Sequence, residues 1–246
     1  MIARVAVLAW LAAAAAAHAA DLPAVLDWSG RVSLTLPVSG VLEQVAVQAG
    51  QVVKKDELLA TLNPTLFKAG VAEARADLDR LAQEEADAGR DLDRVKELYT
   101  RTVAATTELD AAKLRHARAQ AGLAAAQARV ERARRLLVES ELRAPFDAVV
   151  LARQGEPGLV ITAQCQPPAV LSIARADEWL ARANLDATQA AGIRLGAEAA
   201  VQVAGQTLKG RVRGVTALSD GRGQLEVALP RSNATWAGQA ASIRLP

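Results

Sequence analysis

Between Thr65 and Ser140 the chain has no proline and only three glycines, Gly70, Gly89 and Gly122, and it is dense in Ala, Leu, Glu, Asp and Arg. In the first half of this block Phe67, Val71, Ala74, Leu78, Leu81, Glu85, Ala88, Leu92, Val95 and Tyr99 follow one another at spacings of four and three, with Glu85 as the one polar member. In the second half Leu109, His116, Leu123, Val130 and Leu137 recur every seven residues, and Ala112, Ala119, Ala126 and Ala133 stand three residues after the first four. Heptads sustained over this length specify a coiled coil. Each half has one narrow apolar seam flanked by charge. Such a seam satisfies a single partner helix, whereas a globular core requires a wider stripe. The β-branched run from Thr100 to Thr107 interrupts the pattern, and Thr106 or Thr107 is placed to cap the second helix, with Asp110 three residues beyond Thr107 in a capping-box arrangement. The block therefore predicts an antiparallel helical hairpin over 64–140. Each arm of about 35 residues reaches roughly 50 Å, and the Ala column lets the two axes approach closely.

The flanks have the opposite texture. Residues 28–63 are short β-like runs broken by Gly and Pro, and β-like runs resume from Glu141 to the end. Leu36-Pro37-Val38-Ser39-Gly40-Val41 before the hairpin and Leu142-Arg143-Ala144-Pro145-Phe146-Asp147-Ala148 after it follow one scheme: an apolar segment, a proline, a small residue and alternating apolar positions. Two such halves predict a pseudo-symmetric β-sandwich whose central turn is replaced by the hairpin. Beyond Val170, the runs Trp179–Leu185, Ala199–Val203, Leu208–Val215, Gln224–Leu229 and Ala241–Leu245 alternate and are separated by turn signals such as Ser219-Asp220-Gly221-Arg222-Gly223. Short strands at regular spacing predict a small antiparallel barrel, with a helix over 186–194 across one end. The fold class is thus mainly β with an inserted α-helical hairpin: a split lipoyl-like β-sandwich, an antiparallel coiled-coil hairpin and a small antiparallel β-barrel. The boundaries read as 20–34, a segment joining the barrel; 35–63 and 141–174, the sandwich halves; 64–140, the hairpin; and 175–246, the barrel.

Composition excludes several function classes. With 29 Lys and Arg against 27 Asp and Glu, the chain lacks the basic excess of a nucleic-acid binder. Arg4, the apolar run Val5–Ala17 and Ala17-His18-Ala19 read as a cleaved signal peptide over 1–19, because the apolar run is shorter than the ~20 residues a spanning helix needs. Cys165 is the only cysteine and cannot form an internal disulfide. After the leader, His116 is the only histidine; on the coiled-coil seam between Arg115 and Arg118 it reads as a half-buried spacer, not as the base of a nucleophilic triad. One Cys and one His far apart make no metal cluster. Thr61–Phe67 contain no lysine for a carrier modification, and Lys54 and Lys55 lie in a different turn. No catalytic, cofactor-binding or metal-binding residue is assigned, and no enzyme is expected.

The order of half sandwich, long hairpin, half sandwich and barrel resembles the periplasmic adaptor, or membrane fusion (HlyD/AcrA-like), family of tripartite efflux pumps. The matching motifs are Val38-Ser39-Gly40, Gly50-x-Val52-x-Lys54-Lys55, Leu59-Ala60-Thr61-Leu62-Asn63-Pro64 and Arg143-Ala144-Pro145-Phe146-Asp147. The resemblance implies an adaptor that links an inner-membrane transporter, RND type favoured and ABC type possible, to a TolC-type outer-membrane channel. It also implies a homo-oligomer located in the periplasm and peripheral to the inner membrane. It implies docking through the hairpin tip at Arg94, Leu98 and Ala105, the last standing where the family has Ser. Asp56 and Ala148 stand where the family commonly has Gly. Only a short segment precedes Trp28 and the sequence stops at Pro246, so a membrane-proximal domain is expected to be reduced or absent. The competing readings are a periplasmic coiled-coil scaffold without a conduit, and a substrate-binding or metal-chaperone protein.

Overall fold

The computed structural model describes residues 21–164, 167–190, 192–217, 222–232 and 235–245. The expected leader, Cys165 and the 219–221 part of the turn signal lie outside them. Before the helices come β1 (Leu22–Trp28), β2 (Val32–Leu34), β3 (Gly40–Val45), β4 (Val52–Val53) and β5 (Leu58–Leu62). The helices are α1 (Thr65–Thr100) and α2 (Thr106–Glu139). After them come β6 (Glu141–Arg143), β7 (Ala148–Arg153), β8 (Val160–Ile161), β9 (Leu171–Arg175), β10 (Glu178–Leu185), the single turn α3 (Ala187–Ala190), β11 (Glu198–Val203), β12 (Gln206–Ala217), β13 (Gly223–Pro230) and β14 (Ala240–Arg244). Two compact units result: Ser33–Phe146 with Val150–Ile173, and the remainder.

In the first unit, one four-stranded sheet has the order β6-β5-β3-β8 and another the order β2-β9-β7-β4. Leu36, Leu42, Val53, Leu59, Leu62, Val150, Ile161 and Leu171 are fully buried in it. The hairpin leaves the end of β5 and returns at the start of β6, and these two strands pair antiparallel, Thr61 opposite Glu141 and Leu58 opposite Arg143. The Leu62 N–H also donates to the Ser140 carbonyl at 2.9 Å, where the helices meet the sheet. A long insertion is tolerated here because its two ends are already hydrogen-bonded neighbours, as in an ordinary hairpin connection. The two sandwich halves are knitted together elsewhere. The Gly50 N–H donates to Val150 and the Val150 N–H to Gln51, at 2.7 and 2.9 Å, and the Asp56 N–H donates to Ala144 at 2.8 Å. Asp56 has φ +65°, so the left-handed conformation that glycine usually supplies is here held by an Asp, which tolerates it better than most residues.

α1 and α2 pack along the expected seam. Leu92, Val95, Leu109, Ala112, Ala119, Ala126 and Val130 are buried, and neither helix packs extensively on any other element. The buried alanines bear out the close approach of the two axes. Two expectations need correction. Neither Thr106 nor Thr107 caps α2, and the capping box with Asp110 is not formed: Ala105 is the N-cap, extended at φ −79° and ψ 155°, with no side-chain cap. The tip is exposed, so water can satisfy the free N–H groups of that first turn. The seam also does not reach Tyr99, which is 40% exposed; Leu98 is half-buried in its place. The heptad positions from Phe67 to Val95 are half-buried or buried, so the departure is confined to the last turn of α1.

The other unit holds a closed barrel with strand order β1-β10-β13-β12-β11-β14, β14 pairing back onto β1. All its pairings are antiparallel. Period-two alternation puts Leu22, Ala24 and Leu26 of β1 and Leu225, Val227 and Leu229 of β13 inside. Trp179, 1% exposed, joins them. Its ring lies 4.4 Å from that of Trp28, and the Arg231 guanidinium stands 5.2 and 5.3 Å from the two ring centroids. Gly210 is required by close approach, since a Cβ there would meet Val227 Cγ1 at 2.6 Å and the Ala228 carbonyl oxygen at 2.9 Å. On the outer surface Arg182 bridges Asp27 and Glu226 at 2.5 and 3.1 Å. Among the described residues, the helix expected over 186–194 is the four-residue α3.

Candidate functional site

The hairpin tip is built from the last turn of α1, the loop 101–105 and the first turn of α2. α1 ends in a Schellman arrangement. The Val103 N–H donates to the Leu98 carbonyl and the Thr102 N–H to the Tyr99 carbonyl, each at 2.9 Å. Thr102 has φ +61°, a conformation that costs a β-branched residue energy and that glycine usually provides at this position. Below the loop, Ala104 packs against the cluster of Leu92, Val95, Leu109 and Ala112. Above it Val103 is 72% exposed.

The three residues named from the sequence fall in different surroundings. Ala105 is exposed at the head of α2, and Leu98 is half-buried with its carbonyl tied into the turn. Arg94 lies one turn before Leu98, exposed, and pairs with Asp91 at 2.6 Å. Asp91 also accepts from Arg115 of α2 at 2.7 Å. Arg115 and then Arg94 hold the Asp91 carboxyl below the usual carboxylate range. Arg94 thus sits in a bridge spanning both helices. The exposed large apolar side chains of the tip, Val103 and Tyr99, were not singled out from the sequence as contact residues. The signal for Val103 was present: an aliphatic residue inside an otherwise Thr- and Ala-rich loop. Tyr99 was hidden by its agreement with the heptad count.

Further down the hairpin, Asp77 of α1 pairs with Arg80 at 2.8 Å and with Arg129 of α2 at 2.6 Å. These arginines hold its carboxyl below the usual range, Arg80 contributing most. Between the two bridges, Glu85 and His116 meet at 3.0 Å. Among the described residues no group of three or more His, Cys, Asp or Glu could hold a metal ion, and no helix is long and apolar enough to cross a membrane.

Residues 31–170, which span the hairpin and most of the sandwich, match the CzcB-like barrel-sandwich hybrid domain family. The chain belongs to that family. Among curated relatives of this CzcB-like protein, YdhJ of Escherichia coli K12 is 32% identical over 120 residues, 49% of this chain and 42% of that protein. The multidrug resistance protein MdtA of Escherichia coli O45:K1 (strain S88) is 32% identical over 127 residues, 52% of this chain and 31% of that protein. The chain therefore matches less than half the length of either. Among solved structures, a MacA–MexA chimera containing the Pseudomonas aeruginosa MexA α-hairpin domain superposes with a TM-score of 0.69 at 18% identity, covering 92% of this chain and 80% of the chimera. The membrane fusion protein Spr0693 of Streptococcus pneumoniae R6 superposes with a TM-score of 0.65 at 13% identity, covering 92% and 98%. These likenesses establish the fold. The resemblance to membrane fusion proteins is borne out at the level of the family, and so is the fold class of split sandwich, hairpin and barrel.

Proposed function

We propose that this CzcB-like protein is a periplasmic adaptor subunit that links an inner-membrane transporter to an outer-membrane channel of the TolC type, and that it performs no chemistry itself. The supporting observation is the hairpin. Helices of 36 and 34 residues give an arm of roughly 50 Å, and they pack on each other and on little else, so the arm is a reach device. An arm of this kind serves a purpose when a partner waits at its tip. The tip residues Arg94, Leu98 and Ala105 are assigned to that contact, joined by Val103 and Tyr99 because they are the exposed apolar groups there. Several copies are required, since one hairpin cannot enclose a conduit. The transporter supplies the energy; an RND-type pump is favoured over an ABC-type one.

The test is a photo-crosslinking residue at Val103, irradiated in intact cells. Val103 is preferred to Leu98 because Leu98 is half-buried against its own hairpin. An adduct with an outer-membrane channel is the expected product. Adducts confined to other copies of the chain, or to a soluble periplasmic protein, would overturn the adaptor reading in favour of a coiled-coil scaffold.

A further inference from the structure

One layer of the hairpin breaks its apolar seam on both helices at once. Glu85 of α1 and His116 of α2 face each other with the imidazole Nε2 3.0 Å from the carboxylate Oε1, and the two side chains are 26% and 22% exposed. Gly89 lies one turn beyond Glu85 beside the ring, where a Cβ would stand in ordinary contact with it, 3.5 Å from Nε2. The neighbouring charges are engaged elsewhere. Glu84 pairs with Arg80, Asp87 with Arg90, Asp91 with Arg94 and Arg115, and Lys113 with Asp110. Arg118 is exposed on α2. Only α1 and α2 pack at this level, so Glu85 is the carboxylate that the imidazole meets.

Histidine is the side chain whose ordinary titration falls between pH 5 and 8. The sequence has two, His18 and His116, and only His116 is among the described residues. We propose that the Glu85–His116 layer is a pH-sensitive clasp in the middle of the hairpin. With the imidazole neutral, the carboxylate selects the tautomer whose Nε2–H donates to it. With the imidazole protonated, both partners are charged, and the same contact is an ion pair as well as a hydrogen bond. A splayed hairpin offers the imidazolium no such partner. Protons therefore favour the closed pair, in which the imidazolium has a carboxylate oxygen 3.0 Å away. The clasp concerns the hairpin's own rigidity and does not depend on which partner the tip meets.

Amide hydrogen exchange of the full chain at pH 5.5 and pH 8.0, corrected for intrinsic rates, tests it. Amides around Glu85 and His116 are expected to exchange about 1.5- to fivefold more slowly at pH 5.5 than at pH 8.0, relative to the barrel strands, the range set by one partly exposed ion pair. His116→Gln and Glu85→Gln should abolish the difference. A single substitution leaves one polar partner alone in the seam, so Glu85→Leu/His116→Leu, which completes the apolar seam, serves as the folded control and should be equally protected at both pH values. Equal protection of the wild type at both pH values, or a difference that persists in the double-Leu variant, would overturn the clasp. Neither result bears on crosslinking at Val103, so the two proposals fail separately.

Discussion

In the barrel, fifteen buried hydrophobic residues form one cluster around Trp179, closed on every side by strands. In the hairpin, seven buried residues are spread along helices of 36 and 34 residues, four of them in the cluster beneath the tip and three of the seven alanines. The hairpin compensates with ion pairs from helix to helix, Asp77 to Arg129 and Asp91 to Arg115. Partly exposed pairs of this kind contribute little individually, whereas each large buried side chain contributes about 1.5–3 kcal/mol. The difference teaches that one chain divides its tasks. The barrel is stabilised by volume. The hairpin is stabilised by length and register, which leaves its surface open for contacts.

The comparison can be broken most forcefully in the barrel. Trp179→Ala removes the largest fully buried side chain and should cost about 3–5 kcal/mol, read as a lower midpoint of denaturant unfolding for the barrel strands. Local exchange within the hairpin should be unchanged under native conditions; a barrel that lost less than about 1 kcal/mol would show that its core repacks freely. A smaller effect of opposite sign is expected at the tip. Thr102→Gly relieves a β-branched residue at φ +61° and should stabilise the last turn of α1 by about 1 kcal/mol, seen as slower exchange of the Thr102 and Val103 amides. Faster exchange there would mean that the Thr side chain holds the turn. The smallest effect concerns acid. A carboxyl held below its usual range stabilises the fold fully above the ordinary carboxylate value of about 4, and that contribution is lost as pH falls through the lowered folded-state value. Taking the protein from pH 5 to pH 3 should therefore loosen the hairpin at Asp77 and Asp91. Asp77→Asn/Asp91→Asn should flatten the response, measured as amide exchange over both helices. An unchanged response in that variant would assign the acid sensitivity to other groups.

The hairpin was the most legible element because its pattern is local: a seven-residue repeat without proline leaves few alternatives. The barrel strands were legible through alternation, and β10 through β14 coincide with the runs seen in the sequence. The misreadings fall at the hairpin's ends. Thr106 and Thr107 are good capping residues by type, yet α2 starts from Ala105, since the loop geometry left by the Schellman turn decides where the helix begins. Tyr99 satisfied the heptad count, and its exposure is decided by how the last turn of α1 folds into the loop. Glu85 and His116 were each visible as polar members of a seam. That they are partners required the antiparallel register.

The sequence by itself determined the element types, their order and the insertion of a coiled coil into a split sandwich, because hydrophobic period, proline and glycine act over a few residues and need no distant partner. Only the tertiary structure decided which charges cross between helices, that Glu85 meets His116, that β5 and β6 pair beneath the insertion, and that Val103 faces outward while Ala104 packs inward. Those facts depend on how segments far apart in sequence align in register: a shift of one residue would turn the side chains of a strand to its other face and those of a helix by about 100°.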